Sequence, residues 1–304
     1  MNVSSTPTSV TKPMPVKKVS KLLGVDPKLA EPARPKIVIF GKPGVRKTIV
    51  SLDFPSTYYI DTEAGANLPF YTDKLKASGG VYFGREQGSQ DFATVIEQVK
   101  ALATETHPYK TLVIDSLSKI YNLEINKEAE RLGEKDAFGA SKKVPVRMSS
   151  TLIRWLDKLD MNCIIVCHEK PEWSKGEQIG FVPDAHDKLE YELNLCLRIT
   201  KEGDTSYAYV KKSRLAEFAN VTRFEWTYEE FSKRYNKKTL EANAVKVDLA
   251  TAEQLKEIND LLEIVKLPDG EVDKWLKKAN ADVLADLDTK QIAACISMLK
   301  GKIA

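Results

Sequence analysis

Four short runs constrain this chain more than any other feature. Residues 36–40 (KIVIF), 57–60 (TYYI), 111–114 (TLVI) and 163–167 (CIIVC) are apolar or β-branched, with no polar alternation. Each stops on a small or polar residue: Gly41, Asp61, Asp115 and His168. Runs of this length without alternation suit strands buried on both faces. Residues 195–199 and 207–210 continue the series. Between them lie helical stripes. Phe92, Val95, Ile96, Val99 and Leu102 share one face over 92–103, and Leu152, Trp155, Leu156 and Leu159 share another over 152–159. Strands alternating with helices predict a mainly parallel α/β sheet. Ligands of such sheets bind beyond the carboxyl ends of the strands, where all four terminating residues fall.

The chain divides by composition. Residues 1–34 are rich in Ser, Thr, Pro, Val and Lys and read as a flexible basic arm, with a short helix at 19–23, suited to docking on a neighbouring subunit. Residues 35–235 carry the strand series. Residues 236–250 read as a linker. Residues 251–267, 271–279 and 289–300 read as three helices of a small C-terminal bundle, residues 251–304. Trp275, Leu276 and Ile292 supply its core.

Net charge is +3, with seven Lys/Arg against two Asp/Glu in residues 1–36 and eight against ten in 251–304. No global basic field announces nucleic acid, so any such contact must come from local patches. No run reaches the length of about 18 apolar residues that a membrane helix needs. A cytoplasmic protein is expected. Cys163, Cys167 and His168 cannot converge on a metal from one strand at that spacing, so buried packing is the expected role of both thiols.

The loop after the first strand reads Gly41, Lys42, Pro43, Gly44, Val45, Arg46, Lys47, Thr48. Its first Gly, its Lys and its Thr match the phosphate-binding pattern GxxxxGK[ST]. Backbone N–H groups of such a loop cradle phosphates at a helix N-terminus. Lys47 would reach the β- and γ-phosphates of ATP, and the Thr48 hydroxyl would ligate Mg²⁺. Asp115, ending TLVID, would hold the same Mg²⁺. Glu63, just past the second strand, is placed to be the general base for an attacking water. Arg46 breaks the pattern, since it stands where a second Gly belongs. A side chain there strains the loop by about 1–2 kcal/mol.

With these residues in place the chain resembles the RecA-like recombination ATPases, and most of all their compact phage members associated with single-strand annealing. The resemblance rests on the P-loop, YYIDTE, TLVIDS, a strand ending in His168, and the late KKSR, and it spans residues 35–230. It implies a RecA-like P-loop NTPase core with a mainly parallel sheet, plus the small helical bundle. It implies ATP and Mg²⁺ as cofactors, a homo-oligomer (filament or ring), and single-stranded DNA as partner. By the same resemblance His168 senses the γ-phosphate, and Lys212 and Arg214 act as fingers on the ATP of the next subunit. DNA-binding loops are expected at 169–187, with Lys170, Trp173 and Lys175, and at 141–147, with Lys142, Lys143 and Arg147. The C-terminal helices are a candidate site for a protein partner.

Three functions remain open on these grounds: a DNA-dependent ATPase, a nucleotide-gated DNA-binding module that Arg46 keeps from turning over, and an interaction protein on a decayed P-loop scaffold. A metabolic kinase fits less well, because the pairing of Glu63 with Asp115 favours water as nucleophile.

Overall fold

Strands without polar alternation need apolar cover on both faces, and the fold supplies it. The computed structural model describes residues 33–65, 68–136 and 139–303. In chain order the elements are β1 (Lys36–Phe40), α1 (Lys47–Ser51), β2 (Thr57–Asp61), α2 (Pro69–Ser78), β3 (Val81–Phe83), α3 (Phe92–Thr104), β4 (Thr111–Asp115), α4 (Leu117–Leu132), α5 (Lys143–Lys158) and β5 (Asn162–Cys167). There follow β6 (Glu169–Ser174), β7 (Glu177–Pro183), α6 (Leu189–Glu192), β8 (Leu195–Glu202), β9 (Thr205–Ser213), β10 (Arg223–Glu225), α7 (Tyr228–Tyr235), α8 (Lys237–Glu241), α9 (Ala252–Ile264), α10 (Glu271–Lys278) and α11 (Thr289–Lys300).

Eight strands make one sheet in the order β10-β9-β8-β1-β5-β4-β2-β3. From β8 to β3 all pairings are parallel, and β9 and β10 close one edge antiparallel. Alternate residues of β1 enter opposite cores. Val38 and Phe40 pack among Val95, Leu112, Leu152 and Leu156, while Ile37 and Ile39 pack among Leu52, Phe54, Leu197 and Phe231. This is the mainly parallel α/β sheet that the sequence predicts. Cys163 and Cys167 are fully buried on the first of these faces, as is Cys196.

Register sets up the site. Phe40 aligns with Cys167, Val166 with Asp115, and Asp115 with Asp61. The residues one step further, Gly41, His168, Ser116 and Thr62, therefore leave the sheet side by side.

The C-terminal helices form their own core around Ile258, Leu261, Ile292, Ile296 and Leu299. Thr251 with Gln254 and Asp288 with Gln291 form capping boxes that start α9 and α11. The bundle is fastened to α3 and α5: Lys100 Nζ lies 2.8 Å from Asp286 Oδ1, Lys158 Nζ donates to the Asp286 carbonyl at 2.7 Å, and Arg154 pairs with Asp282.

Three expectations need correction. Residues 169–187 are no open loop, since most of them pair as the β6–β7 hairpin, with Glu169 opposite Pro183. Residues 141–147 begin α5, so Lys143 and Arg147 are helical and exposed. Residues 236–250 carry α8 and are held to the core: Val247 N donates to Ala103 O at 2.7 Å, and Val245 N to Asp160 Oδ2 at 2.9 Å. Of the basic arm, residues 1–32 and the helix expected at 19–23 lie outside the described residues. Arg34 belongs to the folded unit. It is 7% exposed, pairs with Asp160, and donates to the Thr239 and Asn243 carbonyls. No described helix is long and apolar enough to cross a membrane.

Candidate functional site

The loop between β1 and α1 turns on three positive φ angles: Gly41 at 155°, Gly44 at 78° and Arg46 at 68°. A Cβ on Gly41 would lie 2.3 Å from the Ile199 carbonyl oxygen, so only Gly fits beneath β8. Arg46 stands in the left-handed region at the N-cap of α1, with φ 68° and ψ 26°. The strain expected of this position is thus present in the backbone. The Arg46 side chain is exposed and makes no hydrogen bond or ion pair among the described residues.

Lys47 folds over the loop, donating to the Gly41 and Lys42 carbonyls at 2.8 Å each. Burial lowers its ammonium pKa, against the opposing pull of Asp115 and Glu63. Thr48 Oγ1 donates to Asp115 Oδ2 at 2.5 Å, and the buried Tyr59 hydroxyl approaches the same oxygen at 3.3 Å. Burial raises the Asp115 carboxyl to about 6, with the Thr48 hydrogen bond acting the other way. A hydroxyl and a carboxylate on one spot are the oxygen donors a small hard cation takes. These residues fit Mg²⁺, whose charge would offset that of the phosphates.

Across the cleft, Glu63 is held by a tight turn. Asp61 Oδ1 accepts from the N–H groups of Glu63 and Gly65, each at 3.2 Å. Thr62 binds the end of β4: its N–H reaches Asp115 O at 2.8 Å, its hydroxyl donates to Ser116 O at 3.0 Å and accepts from Ser116 N at 2.7 Å. Two groups then meet one oxygen of Glu63. Ser116 Oγ donates to Oε1 at 2.6 Å, and His168 Nε2 lies 2.6 Å from the same atom. The His168 hydrogen bond lowers the Glu63 pKa to about 2, helped by Ser116 and opposed by burial, and the Glu63 bond raises that of His168.

A cleft of about 240 Å³ joins Lys47, Thr48, Glu63, Asp115 and His168, with Arg46 and Gly44 on its rim. Residues read from four places in the sequence thus line one space. Two contributors escaped that reading. Tyr71 of α2 also lines the cleft, and no pattern marks it, because α2 exposes most of its surface. Ser116 is legible as the cap of α4, accepting from Lys119 N at 3.2 Å, yet its bond to Glu63 depends on sheet register.

Lys212 and Arg214 do not line this cleft. Both donate to carbonyls at the end of α6: Lys212 to Glu190 O at 2.8 Å and to Leu193 O, Arg214 to Tyr191 O. Trp173 is 64% exposed on β6, and Lys175 sits in the hairpin turn at φ 51°. Lys170 is paired with Asp187 at 3.2 Å. Lys142 is exposed just before α5.

A phosphate loop at the end of β1, an acid two strands away on β4, and a second acid just past β2 define a P-loop NTPase. Residues 33–225 match the family model described as AAA domain, and the chain belongs to that family. It is a P-loop ATPase of the AAA type, and such proteins bind ATP with Mg²⁺. Among solved structures the RadB recombinase aligns with 15% identity and a TM-score of 0.39, over 60% of this chain and 83% of that one. A prototypical ATPase from the type III secretion system of pathogenic bacteria aligns with 11% identity and a TM-score of 0.39, over 89% of this chain and 80% of that one. No curated protein matches this sequence.

Proposed function

We propose that this chain is a DNA-dependent RecA-like ATPase that assists single-strand DNA annealing or recombination, as a homo-oligomer. The observation that carries the hydrolytic part is the state of Glu63. Ser116 and His168 both engage Oε1, Oε2 has no hydrogen bond among the described residues, and the side chain is 41% exposed. A carboxylate fixed by one oxygen and open at the other is a base for water. Glu63 takes a proton from the water as its oxygen bonds the γ-phosphorus. The bond from that phosphorus to the bridging oxygen breaks, giving ADP and phosphate. Lys47 neutralises phosphate charge, and His168, by the resemblance, senses its loss.

Support for DNA comes from the exposed Trp173 ring, with Lys170 and Lys175 on the same hairpin and Lys142, Lys143 and Arg147 at the start of α5. A ring and nearby cations suit stacking on bases and contact with phosphates. The reading also rests on the resemblance to recombination ATPases. Lys212 and Arg214, as fingers for a neighbouring subunit, would first have to leave the carbonyls of α6.

The left-handed Arg46 favours a second reading, in which nucleotide is bound and gates DNA binding with little turnover. ATP turnover with and without single-stranded DNA, on this protein and on Arg46→Gly, separates the two. DNA-stimulated turnover in both supports the ATPase. Turnover in Arg46→Gly alone supports the gated module. No turnover in either sinks the hydrolytic reading.

A further inference from the structure

The C-terminal bundle carries a groove that the ATPase reading does not use. Trp275 of α10 and Ala279 just after it form one wall, Ala294, Cys295 and Met298 of α11 the other, and Leu287 the floor. Its volume is about 370 Å³, within the range of ligand-binding pockets, and its lining is mostly apolar. The outer face of α11 is unusual for a solvated helix. Its exposed positions between Lys290 and Lys300 are Ala293, Ala294, Ser297 and Met298, with no charge among them. A surface helix normally presents charged residues there.

The charges around the groove are one-sided. Lys274 is paired with Glu271, and Lys300 with Glu257. Lys277, Lys278 and Lys290 are exposed and make no ion pair among the described residues, and Lys278 stands on the groove itself. The module around them has an excess of acids, so these unpaired lysines are a local feature. A stable contact between whole subunits buries about 1,200–2,000 Å². A groove two helices wide suits an inserted side chain better than a second globular face.

We infer that the α10–α11 groove docks an acidic segment of a partner protein, which inserts one bulky apolar side chain between Trp275 and Met298 and sets carboxylates against Lys277, Lys278 and Lys290. Small residues at 279 and 294 make room for the anchor, and the lysines select the sign of its flanks. This inference is independent of hydrolysis and of DNA.

The test uses the full chain and a fluorescein-labelled synthetic peptide, acetyl-Asp-Glu-Asp-Trp-Leu-Glu-Asp-amide, followed by anisotropy at low salt. A second peptide replaces every acid with Lys. Saturable binding of the acidic peptide tighter than about 1 mM is expected, with the basic peptide weaker. Ala294→Trp, which fills the groove from an exposed position, should weaken binding by about tenfold or more. Lys278→Glu should weaken it by about threefold and flatten its salt dependence. Both variants should keep the circular dichroism spectrum and the ATP turnover of the parent. No saturation by about 1 mM overturns the inference, as does equal binding of both peptides or full binding by Ala294→Trp. Self-association of the parent that Ala294→Trp abolishes would assign the groove to a second copy and overturn it as well.

Discussion

Replacing Arg46 with Gly should stabilise the protein. Arg46 holds φ 68° and ψ 26°, which places its Cβ in conflict with the backbone at a cost of about 1–2 kcal/mol. Its side chain makes no hydrogen bond or ion pair among the described residues, so little is lost with it. Glycine takes back part of the gain, because it loses about 0.5–1 kcal/mol more in backbone entropy on folding. The net is a stabilisation of about 0.5–1 kcal/mol. For a folded unit of this size that raises the melting temperature by about 1–3 °C. Urea and thermal unfolding of the full chain measure it, with Arg46→Ala as the control. Alanine keeps the Cβ and hence the conflict, so it should show no such gain. Equal stabilisation by Ala and Gly would refute the backbone argument and locate the effect in the guanidinium charge.

Four further outcomes are expected. Glu63→Gln should lower ATP turnover by about 10²-fold or more with nucleotide affinity nearly unchanged, and an equal loss of affinity in a binding titration would contradict its role as base. The Glu63–His168 pair should stabilise the protein most between pH 4.5 and 6.5. The depressed Glu63 contributes fully above its ordinary 4.5 and fades as pH falls towards 2, while the raised His168 contributes fully below 6.5 and fades as pH rises through its higher folded value. The stability difference from His168→Ala, measured across pH, should therefore peak in that window; a difference still growing at alkaline pH would be the wrong sign. Arg34→Ala should cost about 1–3 kcal/mol in urea unfolding, because it leaves the Thr239 and Asn243 carbonyls without the buried guanidinium that binds them, and a cost below about 0.5 kcal/mol would show that water replaces it. Under native conditions only Cys295 should react with a thiol reagent, since Cys163, Cys167 and Cys196 are fully buried and burial pushes the Cys167 thiol up to about 12.

How much was legible in the sequence follows from where apolar contrast is strong. β1, β2, β4 and β5 were readable because each is a closed apolar run, and the bounds of β1 and α11 agree with the reading to the residue. α4 was not, although it has 16 residues, because its buried face includes Ser118, Glu124 and Glu128 beside Leu117, Ile120 and Tyr121. Periodicity cannot mark a stripe whose buried members are partly acidic. The β6–β7 hairpin hid for the opposite reason: nearly all its residues stay partly or fully exposed, so it shows no alternation. In the site, Lys47, Thr48, Glu63, Asp115 and His168 could be assembled because each follows or ends a strand, and parallel strands put such ends together. The engagement of Lys212 and Arg214 with α6 could not, since it depends on a single turn of helix folding back across β9.

The doubled use of the Thr62 hydroxyl, as donor to Ser116 O and acceptor from Ser116 N, ties the ends of β2 and β4 into one piece. Glu63, partly exposed, and Asp115, buried, are thereby neighbours on a common plate. Any shear of the sheet reaches both acids together. A lesion at Thr62, which is buried and does not line the cleft, should therefore disturb both acids in step.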